Sequence, residues 1–328
     1  MKRVNTICCA VVAGLFTAGS QAVQAQAFPT KPVRIVNPAA PGGNSEVFFR
    51  LLQPKMVEVL GQQLVMDYRP GAGGTIGGDA VAKSPADGYT TGLMAASFVI
   101  NPAMIRKMPF DTLKDFTALG LIVDVPSGLV VHPSLPVKNL KDLIALSKKR
   151  PGEIFYSTSG RGTVGHLSGE LLNSMANTKL VHVPYKGAGP ALNDLMGGQI
   201  QFMLGSLTVA GPLVKANRLR GLGVTTLKRW PEFPDLPAVA ETLPGYEAAV
   251  WYGLWGPKNL PKAVVTLWHR EISRTLNLPE LKTRWATEGV DAVGSTPEAF
   301  LQVIKSDIAK WTQVASQANL RIRGQGAD

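Results

Sequence analysis

The residues best placed to do chemistry lie in STSGRGTVGHLSGELL, positions 157–172, where Gly160, Gly162 and Gly165 spell G-x-G-x-x-G. The stretch follows a strand-like EIFYSTS and opens onto a helix-like HLSGELLNSMA, the setting in which such glycines bind a dinucleotide. That reading needs an acidic residue at the end of the next strand, for the ribose hydroxyl. The next strand, KLVHVPYKG, ends at Tyr185 and Lys186 without one, so a nicotinamide cofactor is set aside and no other cofactor is indicated. A glycine-rich loop feeding a helix still exposes unpaired N–H groups at the positive end of a helix dipole, a setting for a small anion. Ser159 and Thr163 add donors. A second such loop, AAPGGNSE, spans 39–46. The two loops could grip the two ends of one polar ligand across a cleft, or both could be ordinary turns between strand and helix.

Catalytic patterns are thin. Gly165-His166-Leu167-Ser168-Gly169 has the wrong spacing for a nucleophile elbow, and Ser159 or Ser168 with His166 is the one hydrolase alternative. His132, His166, His182 and His269 are isolated, without metal-ligand spacing. AAPGGNSE lacks the Gly-Lys-Ser/Thr end of a phosphate-binding loop.

The chain begins with Lys2 and Arg3, an apolar run from Ile7 to Ala18, and Ala25-Gln26-Ala27. This is the pattern of a secretory signal peptide over residues 1–27, too short to span a bilayer. Both cysteines, Cys8 and Cys9, fall inside it, so the mature chain offers no disulfide, thiol nucleophile or cysteine-bound metal. Cleavage leaves 301 residues (328 less 27), enough for two ordinary domains, and lowers the net charge from +11 to +9. The expected location is the periplasm. Lysines and arginines are scattered singly, and the densest run, Lys148-Lys149-Arg150, suits a helix end. That argues against nucleic acid.

The elements that must position these loops alternate. VRIVN, QLVMDYR, TTGLMAAS, EIFYSTS, KLVHVPY, QIQFMLG and LRGLGVTT read as strands; SEVFFRLLQPKMVEVLG, residues 76–83, LKDLIALSKKRPG and GAGPALNDLMGG read as helices. In the first helix Val47, Leu51, Leu52 and Val59 share a side, Ser45 is a candidate cap, Gly61 the stop, and Pro54 should bend or break it. The alternation predicts an α/β fold with largely parallel sheets. The C-terminal part is helical, with Phe300, Ile304, Ile308 and Trp311 on a core-facing stripe.

With these features in place, the wording of the chain resembles the substrate-binding receptors of tripartite tricarboxylate transporters, the Bug (Bordetella uptake gene) or TctC-like family. The matching segments include FPTKPVRIVNPAAPGGNSE, RPGAGGTIGGDAVAKSPADGYT, STSGRGTVGHLSGELL, VHVPYKGAGPALNDLMGGQIQ, FPDLPAVAETLPGYEA and WYGLWGP, in the family's order along the mature chain. The resemblance implies a periplasmic-binding-protein (Venus flytrap) fold of two α/β lobes with a double crossover hinge. The crossings fall near 124–127 and 247–251, giving one lobe of 28–124 plus 248–328 and a second of 125–247. It implies no enzyme, but a monomeric receptor that captures a small carboxylate and delivers it to a membrane permease. A receptor signalling to a sensor kinase is the alternative. The loop carrying Ala40, Pro41, Gly42, Gly43, Asn44 and Ser45 and the one carrying Ser157, Ser159, Gly160, Thr163 and His166 would meet the ligand from opposite lobes. Ala96, Ser97, Tyr185, Gly205 and Ser206 would line the middle.

Three departures bear on the ligand. The family usually has Asp where this chain has Glu46, an Asp-Asn pair where it has Gly205 and Ser206, and a small or polar residue where it has Phe98. They suggest a wider, less acidic pocket with Phe98 as an aromatic wall, suited to an aromatic or bulky carboxylate over an amino acid, or else they are neutral.

Overall fold

The structure, a computed structural model, describes residues 28–39, 41, 44–105, 107–287 and 289–320. The leader and its cleavage site, together with Ala40, Gly42 and Gly43, lie outside the described residues.

Strand β1 (Val33–Asn37) leads to helix α1 (Asn44–Leu60), β2 (Leu64–Tyr68) to α2 (Thr75–Ala82), and β3 (Thr90–Ala95) to α3 (Ser97–Met104). Strand β4 (Phe116–Val125) passes through Pro126 into β5 (Ser127–Val131), followed by α4 (Leu140–Lys149), β6 (Phe155–Thr158), α5 (Val164–Ala176) and β7 (Val181–Pro184). Helix α6 (Ala188–Met196), β8 (Phe202–Ser206), α7 (Leu207–Lys215) and β9 (Arg220–Val224) come next. The chain ends with β10 (Val250–Pro257), α8 (Lys262–Leu276), α9 (Pro279–Thr287), β11 (Asp291–Ala292) and α10 (Pro297–Gln317).

Two sheets result, one ordered β11-β4-β10-β3-β1-β2 and the other β7-β6-β8-β5-β9. They are mixed rather than largely parallel. β10 runs antiparallel between β3 and β4, and β5 antiparallel between β8 and β9. The reason is topological. Each is the first strand after the chain passes between sheets, and each passage leaves from the edge where the parallel strands end. A chain entering a sheet from that edge must run against the strands that finish there.

The first passage is the single residue Pro126. The second runs from Thr225 to the start of β10, and Thr225, fully buried, stitches the two together. Its N–H donates to the Ser127 carbonyl at 2.8 Å, its hydroxyl to the Ala248 carbonyl at 2.8 Å, and its carbonyl accepts the Ala248 N–H at 2.9 Å.

Helix α1 buries Phe48, Phe49, Leu52, Met56 and Leu60 against the first sheet. The predicted face was rotated, for Val47 is 42% exposed. Pro54 neither ends nor splits the helix, which runs 17 residues through it to Gly61 at φ 64°. Helix α10 buries Phe300, Ile304 and Trp311 as its stripe predicts, with Ile308 half-buried. It packs on α3 and also reaches α5 of the other sheet, where Ser174 Oγ donates to Gln317 Oε1 at 2.9 Å.

Phe98 requires a correction. It lies in helix α3, not in a loop, and is 2% exposed. Its ring stacks on Phe110 at 5.2 Å and meets Phe116 and Trp255 edge-on at 5.2 and 5.3 Å. An apolar residue at the first turn of a helix that caps a sheet is drawn into the core by the aromatic area it buries. It forms no wall of a ligand pocket. Phe98→Ala should therefore destabilise the fold by about 3–5 kcal/mol in urea unfolding while leaving the order of ligand preference unchanged.

Candidate functional site

The strand registers locate the site. Val125 of β4 pairs with Val250 and Ala95 of β3 with Tyr252, so β3 and β4 finish at one edge of the first sheet, and β1, parallel to β3, finishes there too. Ser127, one residue beyond the passage, pairs with Ser206 at the finish of β8, and β6 is parallel to β8. The carboxyl edges of both sheets therefore meet at Pro126. Helices α1, α3, α5 and α7 start from those edges. Each brings N–H groups that lack an intrahelical acceptor, and ligands of open α/β sheets bind at such edges.

On the second sheet the loop from β6 to α5 is held from beneath. The Thr158 hydroxyl lies 2.7 Å from His182 Nε2 and accepts the Gly160 N–H at 3.2 Å. Thr163 caps α5, its hydroxyl donating to the Gly160 carbonyl at 2.8 Å and accepting the His166 N–H at 3.4 Å. Gly160 and Gly162 sit at φ 145° and 72°, a path that side chains resist. Ser159 is exposed, with its carbonyl accepting the Gly187 N–H at 3.2 Å. The α5 N–H groups at Val164 and Gly165 have no helical acceptor, by geometry.

Several expected ligand contacts have structural work instead. His166 is 4% exposed, its Nδ1 accepts the Gly162 N–H at 3.2 Å, and its ring stacks on His182 at 4.0 Å. Burial, reinforced by the Arg161 charge, pushes His166 down to about 4. Burial, then His166 and Arg161, pushes His182 to about 3. Both rings are neutral supports of the loop. Ser157, the penultimate residue of β6, is fully buried in register with Met203, and its hydroxyl has no partner among the described residues. Tyr185 donates its hydroxyl to Asp194 Oδ2 at 2.6 Å, and burial followed by that bond pushes it up to about 12. Ser206 caps α7 with its own hydroxyl, and the Leu207 N–H goes to the Pro126 carbonyl at 2.8 Å, so this helix start is locally satisfied. A side chain at Gly205 would press on Met203 Cε at 2.7 Å.

On the first sheet Pro41 is exposed, and Asn44 opens α1 with the half-buried Tyr252 hydroxyl against its side chain. Ser45 is not the cap. It lies within the first turn, 5% exposed, and its hydroxyl donates to Asn37 Oδ1 at 3.1 Å. Ala96 is buried at the cap of α3, its N–H on the Trp251 carbonyl at 3.0 Å, with Ser97 half-exposed beside it. Glu46, buried in the first turn of α1, is bound by Arg50 Nε at 2.5 Å and meets the Tyr68 hydroxyl. Its charge is drawn sideways along the helix.

Sequence reasoning missed Asn37 and Arg161. Asn37 is fully buried at the end of β1. Its Oδ1 also accepts the Ala39 N–H at 3.1 Å, and its Nδ2 has no partner among the described residues. The signal was available: an amide directly after the apolar Ile35-Val36 of a strand, next to a glycine loop. Arg161 stands between the two positive-φ glycines, exposed, with no acidic partner among the described residues.

Behind the passages, carboxylates gather. Asp124 of β4 is the register partner of Asp291 on one side and of Trp251 on the other. Asp307 of α10 accepts the Trp251 indole N–H at 2.8 Å, and Lys310 pairs with Asp307 at 2.9 Å and Glu247 at 3.6 Å. Burial, then the charges of Asp291, Glu247 and Asp307, raises Asp124 to about 7.

Two sheets joined at their carboxyl edges by two stitched passages, with helix starts converging there, define a two-lobe periplasmic binding protein. The family model for the tripartite tricarboxylate transporter family receptor matches residues 48–320. The chain is 32% identical to Protein BugT of Bordetella pertussis over 318 residues, 95% of this chain and 98% of that one. It is similar to the solved structure of Rhodopseudomonas palustris Rpa4515 with adipate, with TM-score 0.79, 36% identity, and 89% and 98% of the two chains covered. It also resembles MatC of the same organism with bound malate, with TM-score 0.76, 28% identity, and 88% and 99% covered. The chain belongs to the tripartite tricarboxylate transporter receptor family, whose members are solute-binding proteins and not enzymes.

Asp124 yields a pH test. Its pKa of about 7 in the fold exceeds its ordinary 3.8, so the folded state binds more protons between those values, and stability falls as pH rises through that window. Asp124→Asn should be more stable than the parent at pH 8, on the order of 1–4 kcal/mol, with the gap closing towards pH 4 in thermal melts.

Proposed function

We propose that this chain is a periplasmic receptor, exported by the signal peptide at 1–27, that captures a small aliphatic dicarboxylate between its lobes and hands it to a tripartite tricarboxylate-type permease. The lobes would be 28–124 plus 248–328 and 125–247, and the two passages near Pro126 and Ala248 the hinge. The observation that carries the reading is the meeting of the helix starts of α1, α3 and α5 at the joined carboxyl edges, in a chain 36% identical to an adipate-bound protein. Backbone N–H groups at the start of α5, held in place by the Thr163 cap, would hold one carboxylate together with Ser159. The start of α1, around Asn44, would face the other. Closure follows because the closed state makes both sets of contacts and the open state only one.

With Phe98 in the core, nothing in the aromatic-wall reasoning survives. Gly205 and Ser206 leave the end of β8 uncharged, which favours a ligand without an ammonium group. A thermal-shift panel on residues 28–328 tests this, with adipate, malate, citrate, benzoate, glutamate and a neutral sugar. At about 100 times its dissociation constant a ligand adds ~2.7 kcal/mol to stability, and adipate or malate should give the largest rise in Tm. A shift with glutamate alone would overturn the preference. A shift with the sugar alone would overturn the carboxylate reading.

A further inference from the structure

We propose that Arg161 is the charged specificity residue of the cleft: its guanidinium pairs with one carboxylate of the ligand on the second lobe, and Asn37 Nδ2 donates to the opposite end on the first. This rests on the carboxylate reading above and goes beyond it by assigning side chains to the two ends.

The helix starts of the fold separate into two kinds. Helices α1, α4, α9 and α10 each carry an acid in the first turn, Glu46, Asp142, Glu280 and Glu298. Those charges offset the positive end of the helix dipole. Helix α5 is one of six without such an acid, with α2, α3, α6, α7 and α8. Instead Arg161 stands two residues before its cap, where a cation is disfavoured by the same dipole. Its charge lies near enough to bear on both His166 and His182. Those rings are neutral, so the loop carries a single formal charge, that of Arg161. Ion pairs hold many of the other basic residues, such as Arg34, Arg50, Arg229 and Lys310, but no acid among the described residues meets Arg161. A positive helix end and an unpaired guanidinium placed together are a local conflict that an anion resolves, and such conflicts mark functional sites.

Arg161 sits between β6 and the cap of α5, at the carboxyl edge of its sheet. The first turn of α5 lies tight on β8, where a Cβ at Gly165 would come within 2.6 Å of the Leu204 carbonyl. Strand β8 ends beside the passage to the first lobe. On the first sheet, with β3 and β10 between it and β4, Asn37 closes β1 at the same carboxyl edge. Ala39 N–H and the Ser45 hydroxyl fix its Oδ1, which orients the amide and leaves a buried donor without a partner among the described residues. Leaving such a donor unmade is costly, and a carboxylate oxygen would satisfy it. Glu46 does not fill the opposite role, since Arg50 and Tyr68 hold its charge. The first lobe therefore recognises its end of the ligand by hydrogen bonding and the second by charge.

Titration calorimetry on residues 28–328 with adipate and malate, in 50 and 500 mM salt, tests the assignment. Arg161→Gln should weaken the tighter of the two by about 10- to 100-fold and flatten the salt dependence. Arg161→Lys should recover part of the loss. Arg218→Gln, an exposed arginine at the far end of the same lobe, carries the same charge change and should bind as the parent does. Asn37→Asp keeps the acceptor for Ala39 and Ser45, replaces the donor with a charge, and should weaken binding at least as much. Far-ultraviolet circular dichroism and Tm confirm that each variant folds. Parent binding with an unchanged Arg161→Gln affinity would overturn the inference and leave the carboxylate reading intact. An equal loss in Arg218→Gln would reduce it to general electrostatics. Failure of the parent to bind either acid would remove both readings.

Discussion

The geometry of this protein depends on one constraint, the place where the chain changes sheets. Both passages leave from the edge at which the parallel strands finish, and Thr225 ties them together with three backbone-directed hydrogen bonds. Because Pro126 is the whole of the first passage, the finishing edges of the two sheets cannot lie far apart. Everything else at the site follows from that. Strand β5 and strand β10 must run antiparallel, and the helix starts of α1, α3, α5 and α7 must converge on the place where the two sheets join.

Two layers of polar groups meet where the sheets join. An inner layer of buried polar groups shapes the loops: Thr158 with His182, His166 with Gly162, Ser45 with Asn37, Ser206 with Thr208. These hydrogen bonds fix the backbone without adding charge, and of the groups in them Asn37 keeps one amide donor without a partner among the described residues. An outer layer of helix starts lies at the joined carboxyl edges. The histidines belong to the inner layer because their neutrality, imposed by burial, keeps the loop's N–H groups aimed outward without a competing titration near neutral pH. Helix α10 adds a restraint from behind, packing on α3 of one sheet and α5 of the other. The carboxylates around Asp124 sit between it and the passages.

Much of the fold was legible in the residues. The strand–loop–helix units of the first and second sheets, the stop at Gly61 and the stripe of α10 follow from local periodicity and turn chemistry, which act within a few residues. The failures share a cause. Phe98 reads as a loop residue because β3 and α3 are joined with almost no connecting chain, and its burial is decided by Phe110, Phe116 and Trp255, from distant parts of the sequence. Helix α7, with Gly211 and Pro212 inside it, has weak local signals and is held by the Pro126 carbonyl and the second sheet. The internal contacts of His166 with Gly162 and His182 and of Tyr185 with Asp194 are not legible in the sequence, because proximity to a loop cannot say which way a side chain turns.

The sequence by itself determined that this is an α/β chain with two glycine loops at helix starts, without a cofactor fingerprint, and with a family wording that covers its length. Those are local or pattern properties, carried by glycine, proline and apolar spacing. Tertiary structure alone decided which polar groups answer each other and which are left over. Whether Asn37 Nδ2 or the Arg161 guanidinium has a partner depends on atoms far away in the chain, brought near only when the passages join the two sheets.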